Sequence, residues 1–205
     1  AAAMDIEKIL KNLKRRGFLP VYFESGEKAA DYVCSLIPAG ESVGSGGSMT
    51  IASLGILERL AEGGHKVYAH SLVPESERGG VYQKAGGADW YVTSANAVTE
   101  GGEIVNIDGA ANRVSALCFG VKKIIYVIGV NKITPALGEA IDRAKNIAAP
   151  LNAKRLDKKT PCSVTGRCSD CNSPDCICNV TTITHHPTKY QTEVHVVIAG
   201  ENLGY

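Results

Sequence analysis

Five of the chain's seven cysteines lie close together after residue 160 and could bind a metal. Their spacing is Cys162-x5-Cys168-x2-Cys171-x4-Cys176-x-Cys178. The CxxC pair in the middle has the geometry that lets two thiolates reach one metal ion. The first cysteine and one of the last two are then available to complete four ligands. This spacing predicts a metal centre bound by thiolates.

The residues leave the identity of the metal open between an iron-sulfur cluster and zinc. Structural zinc usually joins two separated cysteine pairs, whereas four thiolates from one irregular segment also hold [4Fe-4S] clusters. Only one CxxC pair is present, which favours the cluster over zinc. Free or disulfide-bonded thiols are the remaining alternative. His185 and His186 follow the cysteines, but adjacent side chains point apart, so neither is included as a ligand.

A glycine-rich stretch, SVGSGGSMT at residues 42–50 and here called the glycine loop, could bind an anion. It joins a predicted strand to a predicted helix that Ser48 would cap. Such a junction exposes backbone N–H groups and the positive end of the helix dipole to phosphate or carboxylate. The loop is neither a P-loop nor a dinucleotide fingerprint. The simpler alternative is a tight turn that needs glycine only for its backbone angles. The candidate contacts are Gly46, Gly47, Ser48 and Thr50.

An asparagine-rich segment, residues 94–113, is predicted to be a long polar loop at the carboxyl end of a strand. Open α/β sheets bind ligands at that edge, and an arginine at the start of the next helix could pair with a carboxylate or phosphate. Turns also use Asn and Asp routinely, so each residue alone has a structural explanation. With one residue after the following strand, the candidate ligand contacts are Asn96, Thr99, Asn112, Arg113 and Asn131.

These candidates need a scaffold, and the hydrophobic pattern predicts an α/β fold. Short apolar or β-branched runs predict strands at 19–23, 66–70, 89–93, 123–130 and 193–200, and one more that ends in the glycine loop. Apolar residues at helical spacing predict helices at 4–16, 29–37 and 48–61, and one from an N-cap at Thr134 to just before Pro150. The alternation predicts an open, mostly parallel sheet with helices on both faces.

The cysteines lie in a segment without helical or strand periodicity, residues 151–187, which is predicted to be an irregular lobe. Because a strand follows it, the lobe is interpreted as an insertion within one domain covering residues 4–205. The three alanines before Met4 are interpreted as an expression remnant.

The composition excludes several classes of protein. The chain has 205 residues, 44% of them hydrophobic, so it can form a core without disulfides. Its formal charge of +1 gives no general attraction for nucleic acid or lipid. No apolar run is long enough to span a membrane, and the amino terminus has helical periodicity where a signal peptide would have an apolar core. We therefore expect a cytoplasmic protein, in which clustered thiols favour a metal or redox site.

Several runs resemble the LUD-domain family, which includes the lactate-utilisation proteins. They are GSGGSMTIASLGI, TSANAVTEGGEIVNIDGAANRVSALCFGVKKIIYVIGVNKI, AAPLNAKRLDKKTPCSVTGRCSDC and the terminal LGY. The resemblance implies a fold like that of ribose-phosphate isomerases, glucosamine-phosphate deaminases and CoA transferases, whose glycine loops hold anionic ligands. It also implies a link to the oxidation of lactate to pyruvate. Ala111 departs from the family, which often has glycine there.

The resemblance also implies which cysteines bind the metal. Related sequences keep cysteines that match Cys162, Cys168, Cys171 and Cys178, and often have a basic residue where Cys176 stands. We therefore expect the first four to be the ligands and Cys176 to be spare.

Three functions remain open. The first is an accessory or redox subunit in lactate or small-hydroxyacid use, which binds a small anion and a Cys-ligated centre, with other lactate-utilisation subunits or a second copy of the chain as partners. The second is a free-standing sugar-phosphate isomerase or hydrolase, with Glu100 or Asp108 as the acid or base and Lys132 as an electrophile. The third is a non-catalytic ligand-binding protein with structural zinc.

Overall fold

A six-stranded parallel sheet is the centre of this computed structural model, which describes residues 4–205. The three alanines interpreted as a remnant lie outside the described residues. The strands are β1 (Leu19–Phe23), β2 (Val43–Ser45), β3 (Val67–Ala69), β4 (Trp90–Thr93), β5 (Ala97–Thr99), β6 (Ile104–Asp108), β7 (Lys123–Gly129), β8 (Ile133–Thr134), β9 (Val180–Thr184) and β10 (Glu193–Ala199). The main sheet has the order β1-β10-β7-β4-β2-β3, and all its pairs are parallel.

Helices cover both faces of the main sheet, as predicted. They are α1 (Ile6–Arg15), α2 (Gly26–Leu36), α3 (Met49–Ser53), α4 (Ile56–Glu62), α5 (Arg78–Ala85), α6 (Asn112–Ser115), α7 (Leu137–Arg143), α8 (Ala149–Arg155) and α9 (Pro161–Thr165). Residues of α1, α5 and the π-helical turn Ala116–Gly120 that follows α6 pack in the core on one face, and residues of α2, α3 and α4 pack in the core on the other. The α/β class, with its parallel sheet, is confirmed.

Strand β7 is buried on both faces of the main sheet. Ile124, Tyr126 and Ile128 contribute to one core, while Ile125 and Val127 contribute to the other. A strand that is apolar at successive positions is the pattern expected when helices cover both sides. Strand β10 lies between β1 and β7, so the chain after the cysteines does rejoin the main sheet as predicted.

A second, four-stranded sheet has the order β8-β5-β6-β9 and was not predicted. The prediction of a loop at residues 94–113 is therefore wrong in part, because β5 and β6 pair there as an antiparallel hairpin. Their turn includes Gly102 in the left-handed region, with φ +91. The strands have the largely apolar sequences AVT and IVNID. They were not predicted because the many asparagines in this segment are typical of turns.

The segment 151–187 contains more regular structure than expected. It holds the end of α8, all of α9, and β9, which pairs with β6. Between α9 and β9 the chain has turns and bends but no helix or strand, and four of the five clustered cysteines lie there. The irregular part is therefore shorter than the sequence predicted.

Three helix boundaries also differ. The helix expected at 48–61 divides into α3 and α4 at Gly55, which has φ +60. Thr134 is not an N-cap, because it pairs in β8 and the helix begins at Leu137. That helix does not end before Pro150: a π-helical turn at Ala144–Ala148 joins α7 to α8, which places the proline in the first turn of α8. A proline is tolerated there because its missing N–H is not needed.

Within residues 4–205, the helices are all too short or too polar to cross a membrane.

Candidate functional site

A cavity of about 510 Å³ opens at the carboxyl edge of the main sheet. Residues that follow β2, β3, β4 and β7 contribute to its wall, because the carboxyl ends of parallel strands meet at one edge. The end of β6, helix α8 and the cysteine segment complete it. Of the sequence-predicted candidates, those in the wall are Gly47, Ser48, Asn96, Asp108, Asn112, Arg113 and Lys132.

The glycine loop lies against the start of α6. A Cβ on Gly46 would be 3.0 Å from the Tyr91 hydroxyl and 3.4 Å from Nδ2 of Asn112, so only glycine fits here without displacing a neighbour. Ser48 caps α3 as predicted, since its side chain accepts from the Ile51 N–H at 3.3 Å. Helix α3 has only five residues, however, so its dipole alone is too small to form an anion site. Anion binding by the loop stays a prediction.

Asp108 and Arg113 form a buried ion pair. Nε and Nη2 of Arg113 donate to Oδ1 of Asp108 at 3.0 and 2.7 Å, and Oδ2 accepts from the Val114 N–H at 2.8 Å. Nη2 also donates to Oδ1 of Asn96 and to the carbonyl of Ile107. Both carboxylate oxygens of Asp108 are therefore engaged, which argues against its candidate role as an acid or base. Nη1 of Arg113 has no protein partner within residues 4–205.

Lys132 lies in the cavity wall at the end of a short turn after β7 and is 3% exposed. Its Nζ bonds the hydroxyls of Thr50 and Ser94 at 2.9 and 3.0 Å. Within residues 4–205, Nζ of Lys132 forms no salt bridge with a carboxylate. Burial lowers the pKa of Lys132 to about 7, and the guanidinium groups of Arg143 and Arg113 add to the effect. An amine of this kind exchanges readily between its charged and neutral forms at neutral pH.

The outer part of the cavity contains residues that the sequence analysis did not select. Arg155 donates from Nε to the Tyr205 hydroxyl at 2.7 Å, and Lys158 lies nearby in the wall. His70 lies opposite Gly47, and burial and nearby Arg side chains lower its pKa. Its Nδ1 is buried without a hydrogen-bond partner in the described part of the chain. Its position at the end of β3 could have identified it, since the other strand ends were selected for that reason.

Charge in the wall favours an anionic ligand. Four cationic side chains lie there, Arg113, Lys132, Arg155 and Lys158, against two carboxylates, Asp108 and Asp175. Both carboxylates already have partners: Asp108 binds Arg113, and Oδ2 of Asp175 accepts from the Lys159 N–H at 2.9 Å. The remaining positive charge can pair with a ligand.

Other candidates lie elsewhere. The β5–β6 hairpin carries Thr99 and Glu100 away from the cavity: Thr99 bonds Glu103, and Glu100 pairs with Nζ of Lys8 at 3.3 Å. The selection of these two residues is therefore corrected, because the segment predicted to be a loop is a strand and turn.

Thr50 and Asn131 do not line the cavity, but they form hydrogen bonds with residues next to it. Thr50 holds Lys132 and donates to the carbonyl of Leu203 at 3.2 Å. Asn131 accepts from the Leu203 N–H at 3.0 Å and donates to the Gly204 carbonyl at 3.2 Å, so it fixes residues that precede Tyr205.

The five clustered cysteines line a second cavity of about 80 Å³. All are free thiols. Burial, with the thiols of Cys176, Cys168 and Cys162, raises the pKa of Cys178 to about 12. The donor set is suited to a thiophilic metal, and bound metal would offset the cost of ionising such thiols. In residues 4–205, no three Cys, His, Asp or Glu side chains already stand in metal-binding geometry, so binding would require side-chain adjustment.

The two cavities share part of their walls. Cys176, Ile177 and Ala149 line both. Gly109 lies so close to this segment that a Cβ there would be 3.0 Å from the Ile177 Cα, and Asn179 Nδ2 donates to the Gly109 carbonyl at 3.0 Å. The cysteine segment therefore forms one side of the larger cavity.

Comparisons with known proteins identify a family model and several solved structures similar to this chain. The family model described as LUD domain matches residues 6–199. A DUF162 family protein from Deinococcus radiodurans has a similar structure, with a TM-score of 0.53 and 15% identity, over 96% of this chain and 99% of that chain. Ribose 5 phosphate isomerase A from Neisseria gonorrhoeae matches with a TM-score of 0.38 and 17% identity, over 55% and 54% of the two chains. The eIF2B delta structure from Chaetomium thermophilum gives 0.37 and 15%, over 68% and 58%. No curated protein matches the chain.

Proposed function

The chain belongs to the LUD-domain family, and we propose that it serves lactate or small-hydroxyacid use by binding a small carboxylate in the larger cavity. In this proposal the cysteine segment carries a metal centre, and the protein acts as an accessory or redox subunit together with other lactate-utilisation subunits.

The observation that carries the proposal is that Lys132 lies buried in the cavity wall without a carboxylate partner among residues 4–205. The protonated form of Lys132 is costly without a carboxylate partner, because the hydrogen bonds that it donates to the Thr50 and Ser94 hydroxyls offset its lost hydration only in part. A carboxylate ligand would supply the missing negative charge. The low pKa of Lys132 means that ligand binding would also favour its protonation.

Arg113 supports the same ligand class. Its Nη1 is free for a ligand, while Asp108 and Asn96 fix the rest of the guanidinium group. An arginine held in this way binds carboxylates with little loss of side-chain entropy. Arg155 and Lys158 near the mouth would attract the anion. The cavity volume of about 510 Å³ lies within the usual range for small-molecule sites.

For the metal we propose Cys162, Cys168, Cys171 and Cys178 as ligands, with Cys176 spare. All five cysteines line one cavity as free thiols, which supports a thiolate-bound centre, and the choice of these four over Cys176 rests on the resemblance to related sequences. A [4Fe-4S] cluster is preferred and zinc is the alternative; when bound, a cluster would accept or donate single electrons, whereas zinc would only organise the segment.

Titration calorimetry with L-lactate, pyruvate and inorganic phosphate tests the carboxylate site. We expect wild-type protein to bind at least one of the two carboxylates, and Lys132→Met to weaken binding by at least about tenfold, because it removes a buried cation. Lys11→Met, on the exposed side of α1, is the matched control and should bind as wild type. Absence of carboxylate binding, or equal binding by Lys132→Met, would refute the proposal.

The sugar-phosphate isomerase or hydrolase alternative has less support. Glu100 lies outside the cavity, and Asp108 is engaged by Arg113 and Val114. Tight binding of phosphate or a sugar phosphate, with none of lactate or pyruvate, would favour this alternative.

A further inference from the structure

We propose that Lys132 is a nucleophile that forms a reversible imine with the carbonyl group of a 2-oxo acid, the oxidised counterpart of a 2-hydroxyacid. This inference rests on the proposed function, because it requires that the cavity binds small carboxylates. It adds a covalent step and a ligand class that anion binding alone does not require.

The hydrogen bonds around Lys132 suit a neutral amine. The Thr50 hydroxyl already donates its one proton to the Leu203 carbonyl, so toward Lys132 it can only accept. The Ser94 hydroxyl has no other acceptor within residues 4–205 for its proton, so it can donate to the nitrogen. Either form leaves one N–H of Lys132 without a protein partner among residues 4–205. The neutral amine also accepts the Ser94 proton, whereas an ammonium would leave that proton without an acceptor.

The surroundings also disfavour a permanent charge on Lys132. Thr50 is fully buried and Ser94 is 1% exposed, so the nitrogen lies in a poorly solvated site. The charged side chains that lower its pKa, besides burial, are the guanidinium groups of Arg143 and Arg113. Enzymes commonly prepare nucleophilic lysines in this way, by desolvation next to another cation.

Arg113 would orient a 2-oxo acid for this step. Its free Nη1 can hold the carboxylate, and the carbonyl carbon is the next atom along the ligand. Arg113 and Lys132 line the same cavity, and the Arg113 charge helps to lower the pKa of Lys132, so the proposal places one small molecule between these two side chains. A hydroxyacid lacks the electrophilic carbonyl and can bind only as an ion pair.

The chemical step balances without an oxidant or another reactant. The lone pair of Nζ attacks the carbonyl carbon, and the carbonyl oxygen takes up a proton to give a carbinolamine. Loss of this oxygen as water, with both hydrogens originating from the amine, leaves a carbon–nitrogen double bond. The Ser94 hydroxyl, at 3.0 Å from Nζ, is the group that can pass a proton between the nitrogen and the departing oxygen.

Reductive trapping tests the inference. Wild-type protein is incubated with pyruvate and sodium cyanoborohydride, and the adduct is located by intact-mass measurement and peptide mapping. The expected mass increase equals pyruvic acid less one oxygen atom. We expect the adduct at Lys132 to exceed that at exposed Lys11 by at least about tenfold, because more of Lys132 is unprotonated. L-lactate should give no adduct.

Two further measurements separate the possible failures. Lys132→Arg keeps a cation but cannot form the imine, so it should lose the adduct while its circular dichroism shows that it is folded. If pyruvate binds in calorimetry but labels Lys132 no more than Lys11, the imine is refuted and the carboxylate site stands. If neither pyruvate nor lactate binds, the proposed function itself fails. The wild-type peptide map decides the matter even if the variant does not fold.

Discussion

Replacing Asp108 by Asn should strongly destabilise the protein. The side chains of Asp108 and Arg113 are 9% and 10% exposed, so the substitution leaves a buried guanidinium without its counter-ion. Asn cannot replace the carboxylate, because one of its two terminal atoms becomes a donor that faces either Arg113 or the Val114 N–H. Removing one partner of a buried pair costs about 3–5 kcal/mol.

Urea and thermal denaturation measure this cost. In a protein of this size, about 1 kcal/mol shifts Tm by roughly 2–4 °C, so Asp108→Asn should lower Tm by roughly 6–20 °C. Asp157→Asn is the matched control, because its side chain is 92% exposed and its pairing with Lys159 is at the surface. We expect the control to stay within about 0.5 kcal/mol of wild type.

A double-variant cycle checks the mechanism. If the cost comes from the unpaired guanidinium, then Arg113→Met should restore part of the stability lost by Asp108→Asn. The reasoning is refuted if Asp108→Asn changes the free energy of unfolding by less than about 1 kcal/mol, or if the two substitutions are additive.

Three further outcomes are expected. The pKa of Lys132 is about 7 in the folded state and 10.5 when unperturbed, so the unfolded state binds more protons between pH 7 and pH 10.5. The free energy of unfolding should therefore rise with pH across that window. Urea denaturation should show a smaller rise for Lys132→Met, and equal rises in the variant and the wild type would count against the low pKa. Gly44→Ala should destabilise by about 1–3 kcal/mol because its Cβ would strike backbone atoms of α5, whereas Gly79→Ala meets nothing within 4 Å and should not destabilise; similar Tm values for both would contradict this. After anaerobic purification, Cys171→Ser should lose metal by elemental analysis while Cys176→Ser keeps it, and equal retention would refute the ligand assignment.

The main sheet could be predicted from the sequence because its strands are buried on both faces. Strand β1 has the predicted bounds of residues 19–23, and β7 is recognisable by its continuous apolar run. Ligands bind at the carboxyl ends of parallel strands, and this expectation pointed to Lys132 and the Asn112–Arg113 pair before the side-chain packing was known. It works because parallel strands bring their carboxyl ends together whatever the rest of the chain does.

The second sheet and the outer part of the cavity could not be predicted in the same way. Strands β5 and β6 are short and lie among turn-forming residues, so local composition outweighed their apolar pattern. Tyr205 lies in the wall next to residues that Asn131 holds by hydrogen bonds, which are contacts between distant parts of the chain. The π-helical turn that allows Pro150 within a helix likewise leaves no clear mark in the sequence.

A crystal of the protein soaked in pyruvate without reductant shows whether Arg113 and Lys132 bind one 2-oxo acid together. We predict density for one small molecule in the larger cavity, with its carboxylate at Nη1 of Arg113 and its next carbon at Nζ of Lys132. Density bound only to Arg155 and Lys158, or a cavity that holds water alone at a saturating pyruvate concentration, would contradict this prediction.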